Sequence, residues 1–412
     1  MRLKWKGLAL FSPLVFALGC AGEPEEEIPG STLAPLAPHA LASPGPVLVG
    51  VVKPFWTETP HPYPRGTDAR SVVWTEEVTS PGATFLRIHL SRLSLGEGDY
   101  VTVASRDGTR SWTYRGTGPH GTGDVWAFAV EGDTARVELH GGPKPGHGFV
   151  VDAVGHGVAP GFPEPELTCG SDGREDVACH LTESGFNAAQ RPVARLLFVS
   201  GAYLYACTGW LVRGSSASTL MTNYHCLSRQ KEVNTLQATF NYQRTTCGGS
   251  TFAATTDYAG GTLLKTSSLY RRGSKGGLDY TLLTLQGNPE ATWGELVPTT
   301  KAVSIGDLIW FIQHPGGNEK KVGYWEDAAH TQRCNVDDTN ATYGGTAIAS
   351  QTAYSCDSQG GSSGSPIVDA STGRVIALHH FGGVDYEPCL NSGTAMAPIC
   401  ADAGPALACA SD

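Results

Sequence analysis

The chain has few charged residues and no excess of basic ones. Charged side chains make up 17% of its 412 residues, and the formal net charge is −10. A surface without a basic excess does not suit the phosphate backbone, so nucleic acid is excluded as a partner class. Glycine and proline are abundant instead, at 52 and 26 residues, which argues against coiled coils and favours turn-rich β structure. The length allows two domains, each with its own core.

The N-terminal apolar run is too short to span a bilayer comfortably. It extends from Gly7 to Gly19 after three basic residues, the pattern of an export signal. Small residues then precede Cys20, an arrangement that resembles the bacterial lipobox, whose cysteine is lipidated. The sequence predicts a lipoprotein signal peptide over residues 1–20, with an ordinary signal peptide as the alternative. The protein is expected in the bacterial cell envelope, touching the membrane only through this lipid, or secreted after processing.

No Cys-x-x-Cys pair occurs among the 11 cysteines, which disfavours a structural metal site. With Cys20 set aside for lipid, ten cysteines remain. An even number in an exported protein predicts disulfide bonds, here five. We predict neither a metal nor a cofactor.

The composition changes along the chain. Residues 21–47 are rich in Pro, Ala and Glu and predict a flexible tether. Residues 48–158 contain short alternating segments with Gly turns and no cysteine, which predicts a β-sandwich accessory domain or pro-domain. A Pro/Gly-rich linker is predicted over residues 159–168. Every cysteine except Cys20 lies in residues 169–412, which form a second domain that is also expected to be all-β.

Residues 360–366, GGSSGSP, hold two adjacent serines. The α/β-hydrolase elbow Gly-x-Ser-x-Gly would make Ser362 the nucleophile, whereas Gly-x-Ser-Gly-x-Pro makes it Ser363. A plain turn is the third interpretation. The elbow must lead at once into a long helix, with the acid and then the histidine following the serine. Residues 365–376 instead predict a β-hairpin, so the hydrolase interpretation is rejected.

Three further motifs precede this stretch in the second domain. They are Cys-x-Gly-x-Leu-Val at 207–212, Thr-x-x-His-Cys at 222–226 and Asp-x-x-Leu-Leu at 279–283. With Gly-x-Ser-Gly-x-Pro, the set resembles the chymotrypsin-type serine proteases. The closest resemblance is to the bacterial lysyl endopeptidases, with additional similarity at Cys169, Cys179, residues 241–247 and residues 314–321. The resemblance covers roughly residues 169–400.

This resemblance implies an all-β protein in which a double β-barrel protease domain follows the β-sandwich module. It also implies a catalytic triad of Ser363 as nucleophile, His225 as general base and acid, and Asp279 to orient the imidazole. The backbone N–H groups of Gly361 and Ser363 would form the oxyanion hole. Position 362 carries Ser where animal enzymes have the Asp that pairs with a new N-terminus, so activation through that ion pair is excluded.

The resemblance also implies three disulfide bonds, Cys207–Cys226, Cys179–Cys247 and Cys169–Cys389. The four cysteines left over are then paired by elimination as Cys334–Cys356 and Cys400–Cys409.

Substrate preference is open between several residues. Lysyl endopeptidases carry a Lys-selecting Asp after the cysteine matching Cys389, but Leu390 lies there in this chain. Asp357, six residues before Ser363, is at the offset where trypsins select Arg or Lys at P1. His380 lies in a stretch, 378–383, similar to the strand on which glutamyl endopeptidases bind acidic P1 residues. We predict a basic P1 residue, with acidic, small or aromatic residues as alternatives.

The sequence thus predicts a monomeric serine endopeptidase acting on proteins or peptides. The alternative from another class is a surface-binding lipoprotein whose protease fold has lost activity, which a fluorophosphonate probe would not label.

Overall fold

The computed structural model describes residues 45–68, 70–159, 168, 170–268, 270–271, 274–275, 277–342, 351–384, 386–387 and 389–412. These residues belong to one compact unit, Leu41–Asp412. The predicted signal peptide with Cys20, nearly all of the predicted tether and linker, and Cys169 lie outside the described residues. No helix in the described ranges is long and apolar enough to cross a membrane.

Nine strands form the N-terminal part of the fold. They are β1 Val47–Glu58, β2 Val72–Thr79, β3 Phe85–Ser94, β4 Tyr100–Ser105, β5 Ser111–Arg115, β6 Val125–Trp126, β7 Val130–Glu131, β8 Thr134–His140 and β9 Gly148–Gly157. β2-β8-β4-β5 make one face of the sandwich, and β1-β9-β3-β6 make the other face. Alternation explains the packing, because in β8 Val137 and Leu139 are buried while Arg136 and Glu138 are partly exposed. Side chains of both sheets share one core, so the predicted β-sandwich is confirmed.

Nine strands follow, and six of them build a closed barrel. The nine are β10 Arg174–Asp176, β11 Val193–Ser200, β12 Tyr203–Leu211, β13 Thr219–Thr222, β14 Gln237–Phe240, β15 Thr256–Ser267, β16 Tyr270–Arg271, β17 Ser274–Lys275 and β18 Tyr280–Leu285. Six of them pair in the order β11-β14-β15-β18-β13-β12, and β11 also pairs with β12, which closes the ring. Its interior is apolar, with Leu196, Phe198 and Leu220 fully buried.

The last strands form a second sheet. They are β19 Ile309–Gln313, β20 Lys321–Gly323, β21 Asp338–Ala341, β22 Gln351–Tyr354, β23 Pro366–Asp369, β24 Val375–Gly382 and β25 Asn391–Ala395. The sheet order is β10-β20-β19-β23-β24-β25-β22-β21. An apolar cluster including Trp210 and Tyr280 of the barrel and Trp310 and Leu378 of this sheet joins the two. The predicted all-β fold with a protease-type barrel is confirmed, and the predicted site residues His225, Asp279 and Ser363 lie at this seam.

Helices are short and few in the described residues. The α-helices are α1 Phe186–Gln190, α2 Gln230–Val233, α3 Pro289–Trp293 and α4 Met396–Ala403, and 3-10 turns cover Val177–Cys179, Pro315–Gly317 and Gly404–Ala406. The Pro315–Gly317 turn is bonded to the loop that carries the two adjacent serines, because Gly316 N–H donates to the carbonyl of Gly360, at 2.5 Å.

The N-terminal sandwich and the barrel are continuous through β1. One edge of β1 pairs with β9 and the other pairs with β12, so a single sheet passes from module to barrel. Arg87 of β3 is fully buried at this junction. It donates to Ala127 O and Trp126 O in the module and to Thr235 O and Leu197 O in the barrel, at 2.8–3.4 Å. Burial lowers the pKa of this guanidinium to about 10, which leaves it charged at neutral pH.

Replacing Arg87 with Ala is expected to lower the free energy of unfolding by roughly 3 kcal/mol or more. The four carbonyls that Arg87 serves would lose their donor inside the protein, on both sides of the junction. Urea denaturation followed by tryptophan fluorescence measures the change. Arg106→Ala is the matched control, because Arg106 is exposed in the turn after β4. If the two variants were equally stable, the role of Arg87 as the link between module and barrel would be wrong.

Candidate active site

His225 and Asp279 form a hydrogen-bonded pair at the edge of the barrel. His225 follows β13 and Asp279 immediately precedes β18, and these two strands are neighbours. Asp279 Oδ2 lies 2.7 Å from His225 Nδ1, and Oδ1 accepts the backbone N–H of His225 at 3.0 Å. Both contacts fix the carboxylate and orient the imidazole, so that Nε2 is the nitrogen left to exchange a proton.

The Asp279 carboxylate is ionised although it is fully buried. Burial alone would raise its pKa, but the imidazoles of His225 and His380 beside it outweigh that effect and hold the pKa below the ordinary value. The backbone at Asp279 has φ 48°, a left-handed conformation that Asp adopts more readily than most residues other than glycine. Its carbonyl accepts from Asn223 Nδ2 at 2.9 Å and from Tyr224 N–H at 3.2 Å, and these bonds hold the residue in place.

The two serines face different surroundings. Ser362 Oγ is buried and donates to Gln313 Oε1 at 2.6 Å, so its hydroxyl points into the second sheet. Ser363 belongs to the seam, because its carbonyl accepts the N–H of Thr208 at 2.9 Å and lies 3.9 Å from the sulfur of Cys226, the residue after His225. Its Oγ has one long contact, 3.4 Å, to His380 O. Ser363 is therefore the serine whose backbone lies next to the residue after His225, although its Oγ contacts His380 O and not His225 Nε2.

The segment around Gly361 packs closely against residues 314–317. Gly361 has φ 97°, and a Cβ there would lie 2.7 Å from Gly317 N and 2.8 Å from His314 O. Only glycine fits that conformation and space. Within the described part of the chain, neither Gly361 N–H nor Ser363 N–H donates to a protein acceptor.

Two neighbours of the predicted triad were not predicted for the roles they occupy. The His380 ring lies between Asp279 and Gln351, with Nδ1 at 3.4 Å from Asp279 Oδ2 and Nε2 at 2.5 Å from Gln351 Oε1. Burial lowers the pKa of His380, against the opposing effect of Asp279. The ring of Phe381 stacks on His225, with centroids 5.5 Å apart, and shields that imidazole. The sequence signal that could have identified both residues is their position side by side on β24, a strand that is otherwise mostly apolar.

Asp357, the predicted P1-selecting residue, is fully buried in the loop before Ser363. Its Oδ2 accepts the N–H of Gly173 at 2.7 Å, and its carbonyl accepts from Gln313 at 2.8 Å. The next residue, Ser358, donates to Asn391 Oδ1 on β25 at 2.7 Å. Gly173, Gln313 and Asn391 thus contribute polar groups around this loop. Leu390, where lysyl endopeptidases carry their selecting Asp, directly precedes this strand.

Four of the five predicted disulfide bonds fall on described residues, and the structure contains all four. They are Cys179–Cys247, Cys207–Cys226, Cys334–Cys356 and Cys400–Cys409. Cys207–Cys226 attaches the residue after His225 to β12, one residue before Thr208, so it fixes the imidazole relative to Ser363. The predicted Cys169–Cys389 pair includes a residue outside the described ranges. No cluster of three or more His, Cys, Asp or Glu side chains able to hold a metal occurs in those ranges.

Comparison with known proteins gives similarities in sequence and in structure. A secreted RxLR effector protein, number 73, of Plasmopara viticola is 28% identical over 322 residues, covering 74% of this chain and 77% of that protein. A lysyl endopeptidase of Pseudomonas aeruginosa is 28% identical over 284 residues, covering 63% of this chain and 57% of that protein.

Two solved protease structures are also similar. The active form of the Rv3671c protease from M. tuberculosis is 14% identical with a TM-score of 0.39, covering 62% of this chain and 96% of that one. A Glu endopeptidase is 16% identical with a TM-score of 0.39, covering 57% of this chain and 96% of that one.

The family described as "Lysyl endopeptidase, C-terminal domain" matches residues 170–386, more than half of the chain. The matched range contains His225, Asp279 and Ser363, the closed barrel and most of the second sheet. The chain therefore belongs to the lysyl endopeptidase C-terminal domain family, within the chymotrypsin-type serine proteases.

Proposed function

We propose that the protein hydrolyses peptide bonds through a triad of Ser363, His225 and Asp279. The observation that carries the proposal is the hydrogen bond between His225 Nδ1 and the ionised, buried Asp279, with Ser363 packed against the same loop. His225 Nε2 would take the Ser363 proton as Oγ attacks the substrate carbonyl, and would then protonate the leaving amine. Water would release the acyl group by the reverse exchange of protons.

The oxyanion of each tetrahedral intermediate would lie against Gly361 N–H and Ser363 N–H. Donors of this kind are worth roughly 3–4 kcal/mol in the transition state. Gly316 supports them, because its bond to the carbonyl of Gly360 fixes the peptide before Gly361. The loop is held by Thr208 as well, whose hydroxyl donates to the carbonyl of Gly361 at 2.8 Å. These contacts support a hole that is formed before substrate arrives.

For the P1 residue we propose Arg or Lys, with Asp357 as the selecting carboxylate. A carboxylate at this offset before the nucleophile would favour a cationic P1 side chain over a neutral one. An acidic P1 residue is less well supported, because Asp279 and Gln351 lie against the two ring nitrogens of His380.

We also propose that the protein is exported, because disulfide bonds such as Cys179–Cys247 and Cys207–Cys226 persist outside the reducing cytoplasm. Lipid at Cys20 remains a prediction.

A library of short acyl-peptide coumarin amides, varied only at P1, tests this proposal. We expect release of coumarin from Arg and Lys substrates by the wild type and none by Ser363→Ala. Asp357→Asn should lose the preference for basic residues while retaining turnover of neutral ones. Turnover confined to Glu substrates would overturn the P1 assignment. Equal turnover by Ser363→Ala would overturn the triad.

A further inference from the structure

The edge of β12 next to Ser363 is already covered by the protein's own chain. Thr208 N–H donates from this edge to the carbonyl of Ser363. N–H groups of residues two apart point to the same edge of a strand, so Ala206 presents its N–H on the same side. There β1 pairs antiparallel with β12, with Val47 opposite Ala206, Leu48 opposite Tyr205 and Val51 opposite Tyr203.

The first residues of β1 also contact the oxyanion loop. Cγ1 of Val47 lies 3.1 Å from the place where a Cβ on Gly361 would be. Cγ1 of Val49 lies 3.3 Å from the corresponding place on Gly317, in the turn that fixes Gly360. Both valines are buried, at 6% and 8% exposure. β1 thus begins beside the loop that would bind the oxyanion and runs away from it.

The position and direction of β1 both match those expected for the leaving-group side of a bound substrate. Val47 is opposite Ala206, two residues from Thr208, which places it about 7 Å along the strand from the contact with Ser363. The second or third residue after a scissile bond would fall at that distance. β1 also runs from N to C away from Ser363, as the C-terminal part of a bound substrate must.

Building on the proposed peptidase activity, we infer that Val47–Val49 determines substrate choice by occupying the leaving-group side of the cleft. The protein is then selective for substrates with a short leaving group, such as an amide, an ester or one terminal residue. Longer polypeptides must displace the start of β1 from β12 before their bond reaches Ser363.

The test compares two substrates with one acyl peptide on the full-length protein. One carries aminomethylcoumarin as leaving group, and the other continues for five residues to a fluorescence quencher. We expect the extended substrate to have a kcat/KM at least tenfold lower. Val47→Gly combined with Val49→Gly should raise the ratio of extended to short turnover at least threefold, because it removes the contacts with Gly361 and Gly317. Val52→Gly, farther along β1, is the matched control and should leave that ratio unchanged.

A fluorophosphonate probe, which has no leaving-group residues, distinguishes failure of this inference from failure of the proposed peptidase activity. If it labels Ser363 and the extended substrate is cut as well as the short one, the inference is wrong and the peptidase proposal stands. If the Gly variants and Val52→Gly raise the ratio equally, the inference is also wrong, because general loosening of β1 would be the cause. Absence of labelling together with absence of turnover of either substrate overturns the peptidase proposal and the inference that rests on it.

Discussion

Ser363→Ala is expected to lower kcat on a short coumarin substrate by roughly 10⁵-fold or more, the scale seen when a serine protease loses its nucleophile. The hydroxyl has one long contact, at 3.4 Å to His380 O, so its removal should leave the thermal unfolding midpoint nearly unchanged. Loss of activity without loss of stability is the signature of a nucleophile. The measurement compares the initial rates of the wild type and the variant at equal protein concentration, alongside a thermal melt of each.

Ser362→Ala is the matched control, one residue away in the same loop. Its hydroxyl donates to Gln313 Oε1 in a buried position, so its loss leaves an unsatisfied acceptor and should cost about 1–3 kcal/mol of stability. Activity of the folded protein should remain close to that of the wild type. If Ser362→Ala were inactive and Ser363→Ala active, the assignment of the nucleophile would be wrong.

Asp279→Asn is expected to lower kcat by about 10⁴-fold, the effect of the equivalent change in a Ser-His-Asp triad. An amide in this position can donate to His225 Nδ1 and so favour the tautomer whose Nε2 carries the proton. That imidazole cannot accept the Ser363 proton. Folding should persist, because the amide oxygen can still accept the backbone N–H of His225 that now lies 3.0 Å from Oδ1.

Asp257→Asn controls for the loss of a buried carboxylate. Asp257 pairs with Arg110 at 2.7 Å and accepts from Thr239, between the barrel and the N-terminal module. Its replacement should lower stability and leave kcat of the folded enzyme unchanged. A comparable loss of kcat in both variants would show that burial of charge, not orientation of His225, explains the effect of Asp279→Asn.

The sequence was most informative where chemistry requires a particular residue. Motifs in a fixed order predicted the triad of His225, Asp279 and Ser363, and the structure joins His225 to Asp279 by a hydrogen bond and places the Ser363 backbone next to Cys226. Of the four disulfide bonds on described residues, Cys179–Cys247 and Cys207–Cys226 followed from the same resemblance, and the other two followed by elimination. Alternation of apolar residues predicted the strands of the sandwich, because period-two burial is visible without a structure, as in β8.

Pairings between distant segments were not predictable in this way. Nothing in Val47–Val49 indicates that β1 also pairs with β12 of the barrel, because the apolar residues of a strand do not specify which strand will pair with it. Arg87 presented the same difficulty, since its alternating position in β3 gave no sign that it would be buried and bonded to Leu197 and Thr235 in the barrel. His380 was predicted to meet substrate, whereas its ring lies against Asp279, an orientation set by which face of β24 turns toward the barrel.

Mapping the site of fluorophosphonate labelling is the most direct test of the proposed activity. The full-length protein is treated with the probe, digested with a second protease and analysed by tandem mass spectrometry. We predict one phosphonylated residue, Ser363, with labelling strongly reduced in His225→Ala, because the hydroxyl then has no base. Labelling of Ser362, or no labelling of the folded wild type, would contradict the assignment of this chain as an active serine peptidase with Ser363 as its nucleophile.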